Sequence, residues 1–209
     1  HDTPNRYANF EKALAADALG RAKTIAPEIA FIHARKKDCH VLLDQLAAGE
    51  IPLRVTHNDT KINNVLFDPD TDDALVVIDL DTVMPGLVGH DFGDAIRFAA
   101  NYVEEDSPHA DQAGINLDIF RTFTQGFLKP TAHALTELEI ATLPLSCLVL
   151  ACELSVRFLD DYLLGDPYFK INYPSHNLVR ARCQIALAKD MLAKMEQMEQ
   201  IVQECLHAG

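Results

Sequence analysis

The chain has 209 residues, 48 % of them hydrophobic, so it can bury a sizeable core, and its 31 acidic against 18 basic residues give a formal charge of −13. That balance excludes the basic surface of a typical nucleic-acid binder and of a protein drawn to anionic membranes. Five scattered cysteines (Cys39, Cys147, Cys152, Cys183 and Cys205) form no C-x-x-C pair, which excludes a zinc knuckle or a disulfide framework and leads to the expectation of a reducing cytoplasm.

In chain order, residues 6–19 and 27–48 read as helices, with Ile29, Ile32, Val41, Leu42 and Leu46 at helical spacing and Gly49 as the stop. Residues 53–56 form a short apolar run. "NVLFD" and "ALVVID" read as two strands joined by the turn chemistry of "PDTDD". From Gly93 onward the pattern is helical, in "DAIRFAANYV", "LDIFRTFTQGFL", "LPLSCLVLACELSVRFLDDYLL" and a long stretch over 175–206. No apolar run reaches the ~18 residues of a membrane helix. The fold class predicted is α+β and predominantly helical, with a small β-hairpin insert.

That insert carries an unusual loop, "VTHNDTKINNVLF", in which His57, Asp59 and Asn64 crowd between apolar runs. A plain turn would favour the same residue types, because Asp and Asn side chains bond nearby backbone groups. The strand "ALVVID" ends in Asp79, however, and Asp81 follows. Two carboxylates and an amide oxygen at neighbouring strand ends are hard ligands suited to magnesium, which shares its remaining positions with phosphates. The chemistry this points to is phosphoryl transfer.

The order H-x-D-x(4)-N, then a strand ending in Asp, resembles the catalytic core of the protein-kinase-like superfamily. "HNDTKINNVLFDPDTDDALVVIDLD" is similar to the aminoglycoside phosphotransferase family, which includes choline, homoserine and sugar kinases. The resemblance implies that Asp59 engages the acceptor hydroxyl, that Asn64 and Asp79 hold magnesium with ATP, that Lys61 faces phosphate and that His57 braces the loop. The triplet Asp91–Phe92–Gly93 matches a magnesium-binding motif of protein kinases, but it lies beyond Asp79 and leads into a helix. The bracing role behind the loop is therefore expected of Asp94.

The acceptor is expected to be small. Too few residues separate Asp79 from Asp94 for a peptide-binding segment, and no A-P-E follows. Arg157 lies in the apolar helical stretch after Leu148 and needs a partner: Glu153, four residues earlier, or substrate oxygens. "ELSVRFLDDYLLGDPYFKINYPSHNLVRARCQ" resembles the C-terminal segment of N-acetylhexosamine 1-kinases. That resemblance implies sugar contacts from Arg157 and Tyr168, with Asp81 near the sugar, and a neutral N-acetylhexosamine phosphorylated on its anomeric hydroxyl; Tyr168 reads equally as a core aromatic. No glycine-rich stretch precedes His57, and the nine glycines are dispersed. Residues 1–209 are accordingly expected to be the C-terminal lobe of such a kinase, inactive without the missing N-terminal nucleotide lobe. The alternatives are a choline, homoserine or aminoglycoside kinase, or a non-enzymatic pseudokinase-like module.

Overall fold

The computed structural model describes residues 1–207. Helices α1 (Thr3–Ala16), α2 (Ala26–Arg35) and α3 (Val41–Ala47) lead into strands β1 (Arg54–Thr56), β2 (Val65–Phe67), β3 (Ala74–Val77) and β4 (Met84–Gly86). Helices α4 (Val88–Ala99), α5 (Leu117–Thr131), α6 (Glu137–Ala141), α7 (Leu143–Leu164), α8 (His176–Ala193) and α9 (Met195–His207) follow. The composition is α+β and mostly helical, as the sequence patterns predict.

α7 is the hub. It is apolar on nearly every face, and a helix of that kind is stable only when surrounded; it packs against α1, α4 and α8. Ser146 and Ser155 inside it return their hydroxyls to the carbonyls of Thr142 and Ala151, both at 2.8 Å, so neither is left unsatisfied in the core. Gly165, at φ 94°, ends the helix in the left-handed conformation that glycine adopts without strain. α4 reaches α7 across two glycines: a Cβ on Gly89 would lie 2.3 Å from Ser146 Oγ, and one on Gly93 2.5 Å from the Ser146 carbonyl oxygen.

Several boundaries differ from the sequence reading. α1 starts at Thr3 because Asp2 caps it, accepting the Asn5 N–H at 3.2 Å, and a proline sits in the first turn. The stretch 27–48 is broken by a 3-10 turn at Asp38–His40, where Cys39 is buried under the Tyr7 hydroxyl at 3.4 Å. The stretch 175–206 breaks at Lys194, whose Nζ donates to the Ile115 carbonyl at 3.1 Å and pairs with Asp190 at 2.7 Å. α4 begins at Val88 rather than near Gly93.

The strands form two separate antiparallel pairs. β2 and β3 make the anticipated hairpin, with Leu66 opposite Val76. β1 pairs instead with β4, Val55 opposite Pro85. Proline is tolerated there because the strand is an edge and its missing N–H faces no partner. The Arg54 guanidinium grips Glu139 with two bonds, 2.9 and 2.7 Å, and fastens β1 to α6.

Candidate active site

The loop from His57 to Asn64 leaves β1 and turns sharply at Asn58, which takes a left-handed φ of 64°. Asparagine is among the few non-glycine residues that visit this region readily. Asp91, in the first turn of α4, holds the turn from beneath. Its two carboxylate oxygens accept the backbone N–H groups of His57 and Asn58, each at 2.7 Å, and its own carbonyl accepts the Thr60 hydroxyl at 2.6 Å. Burial, the largest influence on the Asp91 carboxyl, raises it above the usual carboxylate range against the pull of these two N–H groups. The loop brace is therefore Asp91, not Asp94. Asp94, one turn further along α4, bonds no residue of the loop and pairs instead with Arg97 at 2.7 Å.

His57 ties the two halves of the site together. One imidazole nitrogen, Nε2, meets the Ile78 carbonyl at 3.0 Å and the other, Nδ1, accepts the Asp59 N–H at 3.3 Å, which assigns the proton to Nε2. The ring thus spans from the backbone of Asp59 to the residue preceding Asp79. Thr82 adds a second tie, donating its hydroxyl to the His57 carbonyl at 2.6 Å.

Asp59 is held on both oxygens. Lys61 Nζ lies 3.0 Å from Oδ1, and the Asn64 amide donates to Oδ2 at 3.0 Å and to the Asp59 carbonyl at 2.8 Å. Burial works to raise this carboxyl, but Lys61 and then Asn64 outweigh it and hold it below the usual range. Asp59 is therefore a carboxylate at neutral pH, able to accept but not to donate.

Asp79 follows β3 by two residues, not ending the strand as the sequence pattern predicts, and takes a left-handed conformation, φ 62°, which costs about 1–3 kcal/mol at a non-glycine residue. Its carboxyl is raised, first by its hydrogen bond to Asp81, then by the Asp81 charge, with Asp59 contributing. Asp79 and Asp81 thus stand close enough to disfavour each other's charge, with Asp59 adding to the effect. Asn64 suits a cation beside them: with its NH2 engaged, its side-chain oxygen accepts no hydrogen bond from any described residue. Among the described residues no three His, Cys, Asp or Glu side chains form a complete metal cage. A partial ligand set is what magnesium requires when phosphate and water oxygens complete its shell.

On the other side of the loop lies a cavity of about 270 Å³, lined among others by Asp59, Lys61, Arg97, Arg157, Phe169 and Arg180. Glu153 does not pair with Arg157. It accepts from the Thr3 hydroxyl and lies 2.7 Å from His1 Nδ1, so the partner is contributed from the opposite end of the sequence. Arg157 is half-buried, its guanidinium 5.4 Å from the centre of the Phe169 ring, and it makes no hydrogen bond to any described residue. Tyr168 is 75 % exposed and is neither a core aromatic nor part of the cavity lining; its neighbour Phe169 lines the cavity instead. Asp81 also lies outside that lining and stands beside Asp79. Asp94, by contrast, lines the cavity, locked to Arg97.

A larger hollow of about 1060 Å³ opens between the end of α4, the segment 101–108 and the start of α8. It contains none of the carboxylates of the loop, so size alone does not mark the site of chemistry. Sequence reasoning missed Asp91, Arg180 and Lys170 as site residues. For Asp91 the sequence reading lacked the signal, since neither β4 nor the start of α4 at Val88 was recognised.

The sequence model of a phosphotransferase enzyme family matches residues 2–129, well over half of the chain. The matched segment contains the loop, Asp79 and Asp91, and ends before α7.

Proposed function

The chain belongs to the phosphotransferase enzyme family, and from that premise we propose that it carries the catalytic and acceptor-binding part of an ATP- and magnesium-dependent kinase acting on a sugar hydroxyl. The acceptor class proposed is an N-acetylhexosamine, phosphorylated on its anomeric oxygen. One observation carries the reading: a single ionised carboxylate, Asp59, stands between a cavity containing the unbonded donors of Arg157 and a cluster of acids at Asp79 and Asp81.

In this reading the sugar hydroxyl donates to Asp59. Its oxygen forms the new bond to the terminal phosphorus of ATP, the bond to the bridging oxygen breaks with its electron pair leaving on ADP, and the hydroxyl proton passes to Asp59. A carboxylate with a depressed pKa is a weak base, so the proton moves late, after the oxygen has acquired positive charge in a loose transition state. Lys61, on Asp59 Oδ1, limits which oxygen is free and brings a positive charge beside the transferred group. Asn64 and Asp79 would hold magnesium, which supplies charge neutralisation on the phosphate oxygens. His57 keeps Asp59 and Asp79 in register through the backbone bonds described above.

The same reading requires a nucleotide-binding lobe, and the strands offer it a seat. Leu75, Val76 and Val77 of β3 are 62, 49 and 49 % exposed and Leu80 is 59 % exposed. Contiguous apolar exposure of this kind marks an interaction surface. Cytoplasmic residence belongs to the proposal too, supported by cysteines that are all buried and free; no described helix is long and apolar enough to cross a membrane.

The test is Asp59→Asn in the enzyme that includes its nucleotide lobe. The substitution keeps shape and removes the charge, and kcat is expected to fall by about 10²–10⁴ with little change in the acceptor KM. An unchanged kcat would remove Asp59 from the reaction.

A further inference from the structure

We propose that the acceptor carries an anionic group, a carboxylate or a phosphate, and that Arg157, Arg180 and Lys170 bind it; this rests on the kinase reading and replaces the neutral sugar expected from sequence. The three cations line the same cavity as Asp59, and none lies within ion-pair distance of any described carboxylate. The acids of that cavity are already engaged. Asp59 faces Lys61 at 3.0 Å, while Asp94 and Glu105 share the fully buried Arg97. Three unmatched positive charges therefore converge in a chain where acids outnumber bases 31 to 18.

Solvated surface cations would be the ordinary explanation, and Lys170 alone would fit it. The two arginines do not, because both are half-buried and held in place. Arg157 lies over Phe169 at 5.4 Å and Arg180 over Phe158 at 5.7 Å. A guanidinium over a ring leaves its in-plane edge open: Arg157 has no bonded donor among the described residues, and Arg180, engaged through Nη1, has Nε and Nη2 left for the paired bonds that grip a carboxylate or phosphate. Arg180 is further fixed by donating to the Asn177 side-chain oxygen at 3.1 Å and to the Lys170 carbonyl at 3.2 Å.

The scaffold beneath is rigid. Buried Asp161 accepts the backbone N–H groups of Tyr168 and Phe169 at 2.8 and 2.9 Å and the Asn177 amide at 2.8 Å. One carboxylate thus fixes both the turn that presents Phe169 and Lys170 and the asparagine that orients Arg180. Like charges held together before the ligand arrives gain from an anion without paying ordering entropy on binding. The cavity, at about 270 Å³, falls just below the ~300–1,000 Å³ typical of ligand sites, the scale of a single small ligand.

The experiment uses the enzyme with its nucleotide lobe. It compares kcat/KM for N-acetylglucosamine, its 3-O-carboxyalkyl ether and its 6-phosphate in wild type, Arg180→Met and Arg180→Lys. The expected result is a preference of at least about tenfold for one anionic sugar over the neutral one. Arg180→Met should reduce that preference by about tenfold, towards parity, through the acceptor KM, and Arg180→Lys, which keeps charge but loses the fork, by less. The KM for the anionic sugar should also rise with added salt. The carboxyalkyl and phosphate arms decide which anion is meant. Equal use of neutral and anionic sugars overturns the proposal, as does a rise in the ATP KM on Arg180→Met, which would assign the arginines to the nucleotide. If no sugar is phosphorylated, the kinase reading has failed, and calorimetric titration of the chain with the same two anionic sugars decides this inference separately. Binding that is lost in a folded Arg180→Met variant upholds it, and no binding overturns it.

Discussion

Asp91 shows how much a single side chain carries. It bonds two successive N–H groups of the loop and closes the same turn through its carbonyl. Hydrogen bonds to a charged group contribute about 1.5–3 kcal/mol each, so Asp91→Ala should destabilise the chain by about 3 kcal/mol or more in urea unfolding and lower kcat, while the magnesium dependence of the residual activity stays as in wild type. A changed magnesium dependence would return the triplet Asp91–Phe92–Gly93 to metal binding. Each member of that triplet has a structural assignment: Phe92 is fully buried, its ring 5.1 Å from that of Phe127, and Gly93 lets α4 touch α7. The motif H-x-D-x(4)-N was legible because all its residues sit on one loop. Asp91 was not, because Leu87 before α4 offers no capping side chain and the helix start was placed too late. The partner of Glu153 was equally invisible, being contributed by His1. His90 makes the second residue-scale prediction. Burial, then the His1 charge, depress its pKa to about 4 from 6.5. The unfolded chain takes up this proton first, so stability is lost as pH falls from about 6.5 through about 4, by up to ~3 kcal/mol. His90→Leu should flatten that part of a stability-versus-pH curve; an unaltered slope would show that the ring titrates normally. Glu153, depressed to about 2 by His1 and Thr3 against the larger opposing effect of burial, acts only below about pH 4.5 and so does not obscure the window.

Among the elements, helix contacts rather than helix propensities set the limits. The break at residues 36–40 and the one at Lys194 carry no glycine or proline, and both are fixed by tertiary bonds that local pattern cannot reveal. β4 escaped notice because Pro85 argues against a strand when the partner β1 is unknown. The hairpin β2–β3 was legible because its two apolar runs flank an obvious turn. Two glycines in helices should respond oppositely to alanine. At Gly93 the new methyl meets α7 backbone at 2.5 Å, and such overpacking costs about 1–3 kcal/mol. At Gly126, exposed in α5 with nothing within 4 Å of a Cβ, alanine should add up to about 1 kcal/mol through helix propensity. Thermal melts of the two variants test the pair; a stabilised Gly93→Ala would mean that α4 and α7 are further apart than described.

The whole molecule divides its two tasks between materials of different kinds. Asn64 and Asp79 stand in the short turns that flank the two-stranded pair β2–β3, whereas Arg157 and Arg180 stand on α7 and α8, the most closely packed pair of helices. The apolar strand face gives the last prediction. Val76→Lys should change the melting temperature of this chain little, since a substitution at an exposed position usually moves stability within about ±0.5 kcal/mol. In the proposed kinase, which would include a nucleotide lobe, it should raise the ATP KM, and an unchanged value would mean that such a lobe sits elsewhere.

The two halves meet at Asp91, on the helix that α7 supports. The matched family segment ends at residue 129, before either arginine. On the proposed reading, a chain of this build could exchange one acceptor for another by change along α7 and α8 while the loop of the transfer step is left in place. The reverse route, new chemistry on an old substrate, is obstructed, because moving the loop means moving the helix on which acceptor recognition also rests.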